Sequence, residues 1–504
     1  MSGPYGIRVT IAGQVINTTV AGANPAYPTV VDELTVVWGR ASIYAQPDPS
    51  QATLTLLDRT GRYVDGSALT GERLEVYLTG EAAGDRRVFR GTITDPTCER
   101  ISLDGASVYE VTVVASDPAA DLGRYIGPGD YYSPQQTDFG AVTLGGGAYT
   151  MGLGNDRVNT LMNRGPAGPP PTDVPSIVTD IESPPRQATG HDGDSTYSLY
   201  LGAVEASGNV SVLDIIREAS RLQPLGWVNY DPAIDVVRMG RLATAAALRL
   251  ALVGGRIVIQ PAPPADGSGA ALMLDAGVIE VPEGYKLEAS TDNAVDRIVV
   301  PRLKTVYSPD GPPISGVQYY RQIATRTMAW QNMARLDPKR YGVRQVDYGL
   351  TFGGDENSYA SSPYNYGTNG MVWLLQQIGA YVDGYNGSYR LPRLRYRVSR
   401  DAAVTDDTTE MLINPRTHAR PLFFSGSVFN GLAGVPSQVQ AIGGVVGYSA
   451  GSWWADLLTV PAAGASTTGN LTVSQLVTNA GPTLADFDPS ISLADLGLIK
   501  TGLN

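Results

Sequence analysis

From residue 1 to about residue 120 the chain alternates apolar and polar side chains with a period of two. Leu34, Val36 and Trp38 alternate with Thr35, Val37 and Gly39, and Ala52, Leu54 and Leu56 with Thr53 and Thr55. Leu74, Val76 and Leu78 alternate in the same way with Arg73, Glu75 and Tyr77. VFRGTIT (Val88–Thr94) and YEVTVVA (Tyr109–Ala115) extend the series. This patterning, broken by turns at short spacing, predicts strands with one buried face gathered into a small barrel or sandwich. Trp38 reads as a core or interface anchor, and Asp58-Arg59-Thr60-Gly61 as a hairpin turn. Arg40, Arg59 and Arg62 are placed either to face acidic groups on an adjoining subunit or simply to stand in solvent.

The alternation stops near residue 126. GPGDYYSPQQ, LGGGAYTMGLGNDR and RGPAGPPPTDVPS make 126–200 a Gly/Pro/Tyr-rich loop insertion, of the kind a neighbouring protein orders. NVSVLDIIREASRLQPLG then predicts a helix. Ser211 caps it, Asp214 completes a capping box, Val212, Ile215, Ile216, Ala219 and Leu222 form its apolar face, and Pro224 stops it. GWVNYDPAIDVVRMG follows as a hairpin turning at Asp231-Pro232, so 201–285 reads as an α+β unit. Strand patterns return over 286–460, with a helix expected over Met371–Val382, and 461–504 reads as an extended tail. The expected class is mainly β with α+β inserts, in several modules: 1–125, 126–200, 201–285, 286–460 and 461–504.

Composition sharpens this picture. The chain has 504 residues, 58 Gly and 35 Pro, and only 17% of its residues are charged, a balance that favours strands, turns and ordered loops over helices. Its net charge of −12 argues against a protein that grips nucleic acid through phosphates. Cys98 is the one cysteine, so neither an intrachain disulfide nor a Cys-ligated metal cluster is open to it. The opening MSGPYGIRVTIAG lacks the basic and apolar regions of a signal peptide, and no apolar run approaches the ~20 residues of a membrane helix. The expectation is a soluble chain with no membrane segment, assembled in the host cytoplasm.

Candidate chemistry is sparse. Gly447-Tyr448-Ser449-Ala450-Gly451 matches G-x-S-x-G, yet SWWADLLTV after it looks like a strand, where a nucleophile elbow needs a helix. Both histidines, His191 and His418, precede Ser449, against the hydrolase order, so a plain turn is the better reading. HDGDS (His191–Ser195) sets an imidazole beside two carboxylates without EF-hand spacing, and reads as a solvated loop. His418 lies between arginines in a polar connection. No carboxylate pair stands out among Asp117, Asp121, Glu205, Asp406, Asp407 and Glu410, and no P-loop or zinc-protease motif occurs. No catalytic, cofactor or metal residues are assigned, and no enzyme activity is expected. In PRLRYRVSR, Arg393, Arg395 and Arg397 fall on one strand face and Leu394, Tyr396 and Val398 on the other; the arginine face suits carboxylates of another subunit better than DNA.

One resemblance runs through these segments in order. VVWGRAS (Val36–Ser42), AQPDPSQATLTLLDRTGRY (Ala45–Tyr63), GERLEVYL (Gly71–Leu78), VFRGTITDP (Val88–Pro96) and VTVVASDPAADLGRY (Val111–Tyr125) resemble the N-terminal module of minor tail proteins of actinobacteriophages. SVLDIIREASRLQPLGWVNYDPAIDVVRMG is similar to the helix–hairpin element of phage tail hub proteins. The resemblance implies a structural virion protein of the tail-tip (baseplate) hub type, in a siphophage, that joins the tube to the host-binding apparatus around the DNA exit channel. It implies a homotrimer, with a hexamer as the alternative. Distal tail or tube proteins, the tape-measure protein and other minor tail proteins would be partners, with DNA present only in passage. It offers no catalytic residues. The alternatives are a distal-ring protein, a receptor- or carbohydrate-binding tail protein and, last, a cell-wall hydrolase.

Overall fold

The computed structural model describes residues 5–18, 28–43, 45, 47–80, 84–103 and 105–124. It further describes 211, 213, 214, 217, 226–240, 393–398, 421–424 and 438–462, and elsewhere only separate strands between 126 and 354 and the bridge residue Glu288. The mainly β class expected from patterning is what it shows: strands dominate, most of them antiparallel, with Ala119–Leu122 a single helical turn.

The first module is built from β1 (Gly6–Ile11), β2 (Gln14–Ile16), β3 (Thr29–Gly39), β4 (Asp48–Asp58), β5 (Arg73–Thr79), β6 (Arg86–Ile93), β7 (Thr97–Leu103) and β8 (Ala106–Ser116). Its strand order is β2-β1-β5-β6-β8-β4-β3. Just past β2, Asn17 bridges to Thr29, with Asn17 N–H donating to the Pro28 carbonyl at 3.1 Å and Val30 N–H to the Asn17 carbonyl at 2.7 Å. The two ends of the order therefore meet, and the sheet curls round a core that includes Val9, Leu54, Val76, Phe89 and Val113. The period-two faces fall as the alternation demands: Leu34, Val36 and Trp38 are buried while Val37 is 52% exposed. β7 is joined only to β8 among the described residues, leaving its other edge open.

Asp58–Gly61 does not make a hairpin turn. β4 pairs with β3 and β8, and the chain from Asp58 to β5 is a loop folded round the Asp58 side chain. That carboxylate is fully buried and accepts from Thr60 N–H (2.9 Å), Thr60 Oγ1 (2.7 Å), Gly61 N–H (3.0 Å) and Tyr63 N–H (2.7 Å). Four donors around one carboxylate organise the loop locally, a role that turn composition does not reveal.

The sheet does not end at β3. β9 (Trp227–Asp231) and β10 (Val236–Gly240) form the expected hairpin, turning after Asp231-Pro232. Later come β11 (Leu272–Leu274), β12 (Ile279–Glu280), β13 (Arg393–Val398), β14 (Leu422–Phe424), β15 (Gln438–Ser449) and β16 (Ser452–Pro461). β15 pairs with β3 from Gly443↔Gly39 to Tyr448↔Leu34, and the order continues β15-β16-β13-β12, within a sheet of 14 strands. Patterning along the chain assigns β15 and β16 to a later region, whereas hydrogen bonding attaches them to the first module. The pairing needs two glycines. Gly39 has φ +81°, and a Cβ there would lie 2.4 Å from Gly443 Cα; one on Gly443 would lie 2.7 Å from the Arg40 carbonyl oxygen.

Elsewhere Arg297–Tyr307 and Tyr320–Gln331 form a long antiparallel pair, joined by Phe352–Gly354 and Tyr200–Leu201. The expected helix over 371–382, both histidines and the tail 461–504, apart from its first two residues, lie outside the described residues.

Candidate functional site

The first notable surface is a charged seam between the barrel and the β9–β10 hairpin. Arg87 follows Arg86 at the start of β6, opposite Tyr77 of β5. Its Nε donates to the Pro232 carbonyl at 2.6 Å, and its Nη1 reaches Glu75 Oε1 at 3.1 Å. Glu75 Oε2 also accepts from Tyr77 OH at 3.0 Å and Thr10 Oγ1 at 3.4 Å. Burial pushes the Glu75 carboxyl up, but the Tyr77 and Arg87 hydrogen bonds and the Arg87 and Arg73 charges outweigh it and hold it below the usual carboxylate value. Arg8 stacks 3.9 Å from the Tyr77 ring centroid and donates to Asp85 at 2.8 Å. Further along, buried Arg90 pairs with Asp235, which also accepts from Tyr230 OH. Asp235 holds φ 62°, the left-handed conformation that closes the hairpin turn.

Two more arginines bind backbone across the same divide. Arg40 is 3% exposed and donates to the Gly226 carbonyl at 3.1 Å and the Ile43 carbonyl at 3.3 Å. It is therefore an internal tie, and not a group facing an adjoining subunit as the sequence allows. Arg217 donates to the Pro47 carbonyl at 2.6 Å. Arg59 is exposed, and Arg62 lies 5.6 Å from the Tyr63 ring centroid. Half of the predicted capping box is present: Asp214 N–H donates to Ser211 Oγ at 3.1 Å, while the Asp214 carboxylate accepts from Ser211 Oγ at 2.7 Å in place of the reciprocal backbone bond. The seam can hold two units in register, and among the described residues it brings together no nucleophile with a base.

The second surface is the outer face of β13, β16, β15 and β3. Arg393, Arg395 and Arg397 are exposed and Leu394, Tyr396 and Val398 buried, as the alternation predicts. The partner differs from expectation for two of them: Asp456 of β16 accepts from Arg395 Nε at 2.9 Å and from Arg393 Nη1 at 3.2 Å. The carboxylate thus comes from the neighbouring strand of the same chain, directly opposite Arg395. One row of this face runs Arg395–Asp456–Val445–Val37, and the next Arg397–Trp454–Gly447–Thr35. Trp454 lies against Gly447, where a Cβ would come within 2.3 Å of the indole. Its buried Nε1 has no hydrogen-bond partner among the described residues.

Gly447–Gly451 is a β-turn. Ser449 pairs with Ser452, and Ala450 (φ 48°) and Gly451 (φ 76°) form a two-residue turn of the I′ kind between two strands. Strand–turn–strand geometry gives Ser449 none of the elbow's helix N-terminus. No group of His, Cys, Asp and Glu able to hold a metal occurs among the described residues, and among them no helix is long and apolar enough to cross a membrane.

Sequence reasoning missed Glu75, Arg87, Arg90, Tyr230 and Asp235 as a group. One signal was on hand: Arg90 interrupts an apolar strand, Val88-Phe89-Arg90, where a lone charge needs a buried partner. Nothing local points to Asp235.

No family model matches the chain, and neither does any curated protein. Among solved structures the fold is similar to the 43 kDa tail protein of prophage MuSo2 from Shewanella oneidensis, with TM-score 0.43 and 10% identity over 92% of this chain and 100% of that one. It is similar to a tail protein from Neisseria meningitidis MC58, with TM-score 0.42 and 11% identity over 90% of this chain and 96% of that one. It is also similar to the E. coli c3393 protein, a type VI secretion component described as structurally similar to T4 tail proteins gp27 and gp5. That likeness has TM-score 0.38 and 9% identity over 94% of this chain and 86% of that one.

Proposed function

We propose that the chain is a structural subunit of a phage tail tip, of the hub type, whose activity is binding to copies of itself and to neighbouring tail proteins. The observation that carries this reading is the continuation of the barrel sheet through β3 into β15, β16 and β13. It produces a broad face bearing three arginines, the half-buried Trp454 and Leu458 and the exposed Val37, and the outer edge of β7 is also bare among the described residues. Faces and edges of this kind are surfaces for other chains. The ordered resemblance of the first 125 residues to minor tail proteins supplies the setting, and the quoted segments fall on β3, β4, β5, β6 and β8 of one module.

In this proposal the subunits assemble as a trimer that meets a sixfold tube, with 1–125 and the strands of 286–460 that continue its sheet presenting the contact surfaces. The net charge of −12 suits a lumen through which DNA slides without sticking. The role is non-enzymatic. Trp453 offers no platform for carbohydrate stacking, because it is 1% exposed and part of the core.

Labelling of intact virions with an antibody to this chain, followed by electron microscopy, is the direct test. Label at the distal end of the tube is expected, and label on the capsid sinks the placement. Copy number separates a trimeric hub from a hexameric distal ring, and a peptidoglycan overlay is expected to show no clearing.

A further inference from the structure

The β7–β8 hairpin carries an arrangement that is unfavourable within one chain. Glu99 and Glu110 stand directly opposite each other in its register, so their side chains share a face. Directly opposed residues on an antiparallel pair have Cβ atoms about 5 Å apart, and like charges there repel. Glu99 is exposed, Glu110 half-buried, and neither has a hydrogen bond or ion pair among the described residues. The nearby Arg100 is no counterion: it lies on the opposite face, across from Tyr109, and donates to Ser107 Oγ at 2.7 Å. The pair sits on β7, whose outer edge is bare among the described residues.

The arginine face of β13 has the opposite imbalance. Arg393 and Arg395 share one carboxylate oxygen, Oδ2 of Asp456, and their side chains remain 58% and 65% exposed. Each guanidinium carries five N–H donors, so most of both donor forks is unused among the described residues. Arg397 is also exposed, with Glu280 of β12 opposite it in register. The stripe thus holds three positive charges against Asp456 and Glu280. Its arginines recur every second residue, about 7 Å apart along the strand, a span that long side chains close readily onto two carboxylates about 5 Å apart.

We infer that the arginine face of β13 and β16 docks the Glu99–Glu110 face of the β7–β8 hairpin from a second copy of this chain. Charge complementarity selects this occupant. The chain as a whole is acidic, and its described surface supplies an acidic pair without a counterion and an arginine stripe with donors to spare. The two surfaces lie on different parts of one subunit, so the contact is head-to-tail and closes into a ring when the rotation allows. Self-pairing of β7 about a twofold axis does not neutralise the pair. Identical antiparallel strands related in this way pair residues of equal parity, so Glu99 meets Thr97, Glu99, Ile101 or Leu103 and never Arg100. The inference deepens the assembly reading above and rests on it for the expectation of self-association.

Charge exchange in the purified full-length chain tests it by sedimentation velocity across protein and salt concentrations. Glu99→Arg turns the repelling pair into an attracting one inside the hairpin, so it is expected to leave the fold as stable as before or more so. It should weaken self-association about tenfold or more. Arg395→Glu with Arg397→Glu should weaken it comparably. Combining these with Glu99→Arg and Glu110→Arg should restore association. A wild-type chain that stays monomeric, reversed variants that associate normally, or a combined variant that does not recover would each overturn the inference. So would arginine variants whose only defect is lost DNA retardation. Virion labelling reads the tail placement independently, so that placement can stand while this contact fails, and the reverse.

Discussion

The indole Nε1 of Trp453 donates to the backbone carbonyl of Gly6 at 3.1 Å, tying β16 to β1 across a separation of 447 residues. The ring is 1% exposed and meets Tyr448 edge-on, with centroids 5.3 Å apart. Trp453→Phe removes the hydrogen bond and keeps most of the packing, and is expected to cost about 1–2 kcal/mol. Trp453→Ala opens a cavity and should cost about 3–5 kcal/mol. Denaturant unfolding followed by tyrosine and tryptophan fluorescence checks both; equal losses would mean that packing contributes nothing beyond the bond.

Asp58 makes a local prediction. Replacing it with Ala strands the donors of Thr60, Gly61 and Tyr63 beneath a loop that no other described group organises in the same way. The expected cost is about 2–4 kcal/mol, with faster proteolysis between residues 59 and 72. Asp58→Asn keeps one acceptor oxygen and should cost less. If the Ala variant resists protease as well as the parent, the carboxylate is not what shapes the loop.

These cases show what patterning could and could not reveal. Alternation located β3, β4, β5 and β13 and assigned their faces, because a strand's two sides follow from its own residues. The Ser211–Asp214 cap and the Asp231-Pro232 turn were legible for the same reason: their contacts are three or four residues apart. The Gly6–Trp453 bond, the β3–β15 pairing and the reach of Arg87 to Pro232 were not, since nothing in either partner's neighbourhood marks the other. Arg395 was assigned the right chemistry without its intrachain partner, because period two fixes a face while only the register with β16 places Asp456 opposite it. Asp58 was misread because Asp-Arg-Thr-Gly suits a hairpin, and only the strand order shows that β4 and β5 are not neighbours.

Gly39 tests the splice between the barrel and the β15–β16 hairpin. Gly39→Ala would demand φ near +81° from an L residue and place its Cβ 2.4 Å from both Gly443 Cα and the Ile442 carbonyl oxygen. Backbone on both sides leaves little room to yield. The expected cost is at least about 2 kcal/mol, from conformational strain and clash together. Hydrogen exchange should localise the loss to 34–39 and 443–448, and unchanged protection there would refute it.

Glu75 predicts the acid response of the seam. The hydrogen bonds and charges around it hold its folded carboxyl below the ordinary carboxylate value, so its contribution to stability is fully present above that ordinary value. It fades as pH falls through the lower folded value, because protonation then removes the acceptor for Tyr77 and Arg87. Glu75→Gln should flatten the stability curve in this window while lowering stability at neutral pH. A Gln variant with the parent's acid slope would show that another group controls it.

Arg90 and Asp235 decide whether the seam is a clamp or a set of independent contacts. The Arg90 side chain is 10% exposed and that of Asp235 38%, so solvent screens the pair partly from one side. Asp235→Asn keeps a residue that tolerates the left-handed turn and removes the charge, leaving the Arg90 guanidinium buried without its carboxylate. The expected loss is about 1–3 kcal/mol, below the range for a fully buried pair because of that exposure. Arg90→Met alone strands Asp235, although Tyr230 still donates to it. The double variant should lose less than the sum of the singles, with a coupling of about 1 kcal/mol or more in a double-mutant cycle. Strict additivity would mean that each side chain acts alone and that the β9–β10 hairpin is held chiefly by the backbone bonds of Arg40 and Arg87.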